Sequence, residues 1–215
     1  LELSKDEKVK EPISGKEIII IVEDLADLIS FTSLLFDQNY KVIQAKNGAE
    51  GIEKAFQYIP DIIISDVMMP KIDGIGLCNT LKSDEKTSHI PIILLTAKSG
   101  EDNELIGLKT GADDYILKPF NPEKIQIRVQ KLIEIRNNLR MRYQQDVTLK
   151  PQDIAITATD EKFLNKIQQL LNEQLTNPEF NADDFSREIG MSRMQLHRKL
   201  IALTGLSTTA FIKSQ

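Results

Sequence analysis

The sequence predicts an α/β fold, a doubly wound five-stranded parallel sheet, followed by a small all-α unit. Three observations carry this. The apolar runs at 18–22, 62–64 and 92–95 do not alternate with polar residues, which marks strands buried on both faces. Helical stretches separate the runs, and repeated strand–helix units imply a parallel sheet with right-handed crossovers. After residue 160 only helical periodicity remains.

Residues 1–15 read as a charged linker. A first domain is expected over 16–142, with strands at Glu17–Val22, Lys41–Ala45, Ile62–Asp66, Ile92–Thr96 and Asp114–Ile116. Helices are expected at Asp27–Asp37, Ala49–Phe56, Ile75–Ser83, Glu101–Lys109 and Pro122–Arg142. Asn47-Gly48, Pro60-Asp61, Asp73-Gly74, Pro91 and Gly111 punctuate them as turn formers should. Residues 143–160, with Pro151 among short polar residues, read as a linker. A second unit is expected over 161–215. It opens with a helix that places Phe163, Ile167, Leu170, Leu171 and Leu175 on one stripe.

Composition excludes several classes. A net charge of −5 argues against a nucleic-acid footprint over the whole chain. No apolar run approaches the ~20 residues of a membrane span, so no membrane contact is expected. The N-terminal segment is charged, unlike a signal peptide. The lone Cys78 excludes an internal disulfide and fits a reducing cytoplasm; a small core residue is its ordinary role. The chain starts at Leu1 and not Met, as a piece excised from a longer protein would.

Strand ends carry the chemistry. Glu23-Asp24 follows the first strand, Asp66 ends the third, Thr96 ends the fourth and Lys118 follows the fifth. Ligands of open parallel sheets bind at these carboxyl ends. Each residue alone has an ordinary explanation: a turn former, a helix cap, a β-former, a solvated charge. Together they form a set. Three clustered carboxylates repel one another unless a cation joins them, and hard oxygen ligands suit Mg²⁺. A hydroxyl and an amine complete a device for placing a phosphoryl group on a carboxylate.

Glu23-Asp24, the segment from Asp66 to Pro70, Asp73-Gly74, Leu95-Thr96-Ala97 and the segment from Gly111 to Phe120 resemble a two-component response-regulator receiver domain. The resemblance implies a flavodoxin-like sheet with Asp66 as phosphoacceptor. It implies Mg²⁺ on Glu23, Asp24, Asp66 and the backbone carbonyl of Met68. Thr96 and Lys118 would contact the phosphoryl oxygens, and Lys118–Pro119 would be cis. Tyr115 is either a half-buried strand aromatic or, by the family reading, a switch that turns inward when Thr96 moves. The phosphodonor would be a sensor histidine kinase domain in a phosphorelay. The chain itself would then be no enzyme beyond self-dephosphorylation.

Two departures matter. Leu25 follows the acid pair where the family often has a polar residue, and Met68 cannot hold a hydrolytic water. With Lys98 crowding the site, slow self-dephosphorylation is expected. The rival reading is a Mg²⁺-dependent aspartate phosphatase of doubly wound fold. Such enzymes usually carry a second Asp two positions after the first, where this chain has Met68.

Ile125, Val129, Leu132, Leu139 and Tyr143 form a heptad-like stripe interrupted at Arg136. Two readings stand: packing on the sheet with a basic tail, or a dimerising helix that makes a homodimer. In the last segment, Ser186, Gly190 and Leu196 have helix-turn-helix spacing. Leu196, Leu200 and Leu203 face a core, while Arg193, Met194, His197 and Arg198 face outward. The alternative is a small bundle with solvated charges.

The string from Phe180 to Leu200, then Leu203 to Ser207, resembles the AraC-type DNA-binding domain. That resemblance implies base reading by Met194, His197 and Arg198, with Arg193 nearby. Ser192 and Arg187 would meet phosphate. Only the first of the family's two helix-turn-helix units is present, so DNA affinity should be reduced. A receiver joined to this module resembles the cytoplasmic end of a hybrid histidine kinase whose sensor is anchored in the inner membrane. A stand-alone regulator is the alternative.

Overall fold

The computed structural model describes residues 16–97, 111–145, 155, 157–174 and 180–214. Five parallel strands run in the order β2-β1-β3-β4-β5, with β1 at Ile18–Val22, β2 at Lys41–Ala45, β3 at Ile62–Asp66, β4 at Ile92–Thr96 and β5 at Asp114–Leu117. The β-branched runs fill the three central strands, and every residue of β3 and β4 is buried. Alternate residues feed two layers. Ile20, Val22, Ile63, Ile92 and Leu94 join one core, while Ile19, Ile21, Ile62, Ile64 and Ile93 join the other.

Around the sheet lie α1 (Ala26–Leu34), α2 (Gly48–Tyr58), α3 (Gly74–Ser83) and the long α4 (Pro122–Gln145). Local chemistry sets their starts. Asn47 accepts from the amide of Glu50 at 3.1 Å, and Asp73 accepts from that of Gly76 at 2.7 Å. The expected helix Glu101–Lys109 and Lys98 lie outside the described residues. So does the linker segment 1–15.

The stripe on α4 differs from the expected one. Ile125, Val129, Ile133 and Arg136 are buried, while Leu132 and Leu139 are only half-buried. That is the spacing of a straight helix seated on a sheet.

The C-terminal helices are α5 (Ala158–Gln174), α6 (Ala182–Ile189), α7 (Arg193–Thr204) and α8 (Thr208–Lys213). They enclose a core of Phe163, Ile167, Phe185, Leu196, Leu200 and Phe211 among others. α5 starts at Ala158, inside the segment 143–160 expected to be linker. Thr157 Oγ1 accepts from the Asp160 amide at 3.0 Å and donates to the Asp160 carboxylate at 2.7 Å, which closes a first turn there. Gly190, at φ 78°, ends α6, and a reciprocal capping box between Ser192 and Gln195 starts α7.

Candidate functional site

The strand ends converge. Glu23 leaves β1 with its amide donating to Ala45 O at 3.0 Å, which aims its side chain across the sheet's carboxyl edge. Asp66 closes β3, and the next amide, Val67, donates to Leu95 O at 2.9 Å. The chain then turns tightly back. Gly74 N–H donates to Val67 O at 3.0 Å, and a Cβ on Gly74 would stand 2.1 Å from Asp66 O, so only glycine fits. β5 delivers Lys118, whose amide donates to Thr96 O at 2.7 Å before the cis Lys118–Pro119 bond.

Carboxylate oxygens of Glu23, Asp24 and Asp66 all lie within 4.8 Å of one another. Lys118 Nζ bridges two of them, 2.8 Å from Glu23 Oε2 and 2.9 Å from Asp66 Oδ1. Glu23, Asp66 and Thr96 are buried, and Asp24 is open to solvent. Burial pushes the Glu23 carboxyl up, against the Lys118 hydrogen bond. Burial pulls Lys118 down, but its bonds to Glu23 and Asp66 outweigh this and leave it raised. The ammonium therefore stays charged and compensates the acids.

The donor set tests the metal directly. Three carboxylates, one solvent-exposed, offer hard oxygens on one side and room for water on the other, which fits Mg²⁺. Met68 lies at the mouth with its side chain exposed. Tyr115 sits on β5 beside Leu94 of β4, half-buried against the core that contains Leu94 and Ile92.

The residues read as DNA-facing lie apart from this site. Arg193, Met194, His197 and Arg198 share one side of α7. Arg193 and Met194 are exposed, and His197 and Arg198 half-buried. Arg193 pairs with Asp183 at 3.2 Å and Arg187 with Asp184 at 3.3 Å, both at the surface. The Ser192 hydroxyl is occupied in capping α7. Arg198 donates to the backbone oxygen of Tyr58.

Sequence reasoning missed a buried polar junction. Lys199, Asp160 and Ser88 are all fully buried and mutually bonded. One signal was available: Lys199 follows Leu196 by three and precedes Leu203 by four, which puts it on the apolar stripe of α7.

The chain belongs to the response regulator receiver domain family, whose model matches residues 19–130. Histidine kinase P4 of Formosa agariphila is 36% identical over 210 residues, which are 97% of this chain and 15% of that protein. The DNA-binding dual master transcriptional regulator RpaA of Synechocystis is 40% identical over 118 residues, 54% of this chain and 48% of that protein. The chain thus spans less than half the length of either relative. The receiver domain of sensor histidine kinase PA1611 of Pseudomonas aeruginosa, solved with magnesium in its active-site cleft, superposes at a TM-score of 0.52. It shares 26% identity over 56% of this chain and 99% of that one. Among the described residues no helix is long and apolar enough to cross a membrane.

Proposed function

We propose that Asp66 accepts a phosphoryl group from a phosphohistidine of a sensor kinase domain, and that the charge so placed governs an AraC-type DNA-binding module built on α6 to α8. The observation that carries this is the acid cluster of Glu23, Asp24 and Asp66 with Lys118 bridging Glu23 and Asp66 at 2.8 and 2.9 Å. Mg²⁺ held by these acids and the Met68 carbonyl would neutralise charge on the transferring oxygens.

An Asp66 oxygen attacks phosphorus while the P–N bond to imidazole breaks. The electron pair returns to the imidazole nitrogen, which takes a proton from solvent. Lys118 balances the acyl phosphate's charge, and the Thr96 hydroxyl donates to one of its oxygens. Tyr115, paired across from Leu94 on the neighbouring strand, follows Thr96 as the population shifts between two packings. In the phosphatase alternative a second acid is wanted at position 68, and Met68 offers none.

The match of nearly the whole chain within a histidine kinase supports a hybrid kinase as parent, with receiver and DNA-binding module on one polypeptide. A homodimer formed through the receiver belongs to the same reading, as does a cytoplasmic location. The test is incubation with acetyl phosphate and Mg²⁺, read by intact mass. Wild type should gain one phosphoryl group and Asp66→Asn none. Equal labelling of both would end the proposal, and steady turnover of phosphate esters would replace it with the phosphatase.

A further inference from the structure

We propose that the receiver carries a docking surface for α7 at the pole opposite Asp66, and that duplex DNA must displace the receiver to gain Arg198. This rests on the DNA-binding reading above.

The contact is built from both sides. Lys199 Nζ lies 3.0 Å from Asp160 Oδ1 and 3.1 Å from Ser88 Oγ, and it also donates to the backbone oxygen of Glu85. An ammonium has three protons, and these three oxygens take all of them. Ser88 in turn donates to Asp160 at 2.7 Å, so the receiver hydroxyl closes a ring with both helical-unit charges. The Lys199 ammonium also stands 4.5 Å from the ring centre of Phe163. A chance surface contact would leave some of these groups wet, yet Lys199, Asp160 and Ser88 are fully buried.

The rim repeats the pattern. Arg198 donates to Tyr58 O, Arg140 Nε donates to Ala202 O at 3.0 Å, and Lys166 lies 3.6 Å from Glu85. Tyr58 ends α2, just before β3, and Glu85 to Ser88 lie just before β4. The surface is therefore at the amino ends of the strands, while Asp66 is at their carboxyl ends. A phosphoryl group on Asp66 cannot touch the docked helix.

The consequence for DNA follows from Arg198. Its guanidinium is bound to the receiver backbone and lies on the same side of α7 as the exposed Arg193 and Met194. A duplex reaching the outward end of α7 finds Arg198 committed elsewhere. Receiver and phosphate backbone compete for one cation.

The test uses the full chain and a fluorescent duplex of arbitrary sequence at low salt. Ser88→Arg sets a like charge beside Lys199 and leaves the helical unit untouched. It should enlarge the radius of gyration in solution scattering and tighten duplex binding at least about tenfold, the factor imposed by a closed form that holds about nine molecules in ten or more. In wild type, saturating duplex should speed amide exchange over residues 84–90 and 58–61, which guards against misfolding of the variant. An opened variant that binds duplex no better than a binding-competent wild type overturns the proposal. So does a wild type whose exchange at these segments ignores bound duplex. If the variant opens and neither protein binds duplex, the DNA-binding reading falls and this proposal with it.

Discussion

Lys199 Nζ and Asp160 Oδ1 meet 3.0 Å apart with neither side chain exposed to solvent. Burial lowers the Lys199 pKa, and Asp160 opposes that loss. A buried pair adds little over an apolar pair, but breaking it leaves a lone charge. Lys199→Met should therefore cost about 3–5 kcal/mol of unfolding free energy. The double variant Lys199→Met, Asp160→Asn should cost clearly less than the two single losses added together. Urea titration of the four proteins measures the coupling, and strict additivity would show that the pair does not act as a unit.

Lys118 holds the place of a cation between Glu23 and Asp66. Lys118→Met removes a positive charge from the edge of the acid cluster, so Mg²⁺ should bind tighter, by at least about tenfold, because a divalent ion a few ångströms from a unit charge is repelled by about 2 kcal/mol even at the dielectric of water. Phosphorylation by acetyl phosphate should nonetheless slow, because the acyl phosphate loses its amine. Calorimetric titration with Mg²⁺ and a labelling time course separate the two effects. Weaker metal binding by the variant would refute the charge argument.

The exposed thioether of Met68 offers no hydrogen bond to an attacking water at the mouth of the site. Phosphorylated wild type should lose its phosphoryl group slowly, and Met68→Asn should hasten the loss by about fivefold, the worth of one hydrogen bond of roughly 1 kcal/mol. The decay of the phosphorylated mass after removal of the donor measures it. Identical decay in both proteins would deny position 68 any part in hydrolysis.

The centre of the sheet was legible because β1, β3 and β4 are runs rich in isoleucine and leucine bounded by turn formers, a pattern with few other meanings. The acid cluster was legible because strand ends in a parallel sheet share one edge, so Glu23, Asp66 and Lys118 could be placed together from order alone. The docking junction was not. Asp160 stands in a polar stretch that reads as linker, and its Ser88 partner lies 72 positions away. Nothing local marks either as buried. Arg136 shows the same blindness from the other side: it looked like a break in an apolar stripe, yet it is buried on the inner face of α4. Burial lowers its pKa to about 10, with Asp113 and Asp160 opposing. A charge on an apolar stripe signals a tertiary partner without saying which one.

His89 precedes β4 and is buried among cations from three elements: Lys199 of α7, Arg136 and Arg140 of α4, and Lys82 of α3. Burial first, then these charges, hold its pKa well below the ordinary histidine value. In the folded protein the ring stays neutral, whereas in the unfolded chain it takes up a proton near pH 6.5. Below that pH the unfolded state binds one more proton than the folded state, so stability is lost as pH falls, by at most about 1.4 kcal/mol per pH unit. The loss starts near the unfolded value and continues toward the depressed folded value. Between about pH 6.5 and 5 most carboxylates are still ionised, so His89 should dominate the slope there. His89→Leu should flatten the slope in that window while leaving the loss at lower pH. Chemical unfolding of both proteins at a series of pH values checks this, and equal slopes would mean that His89 charges without opening its surroundings.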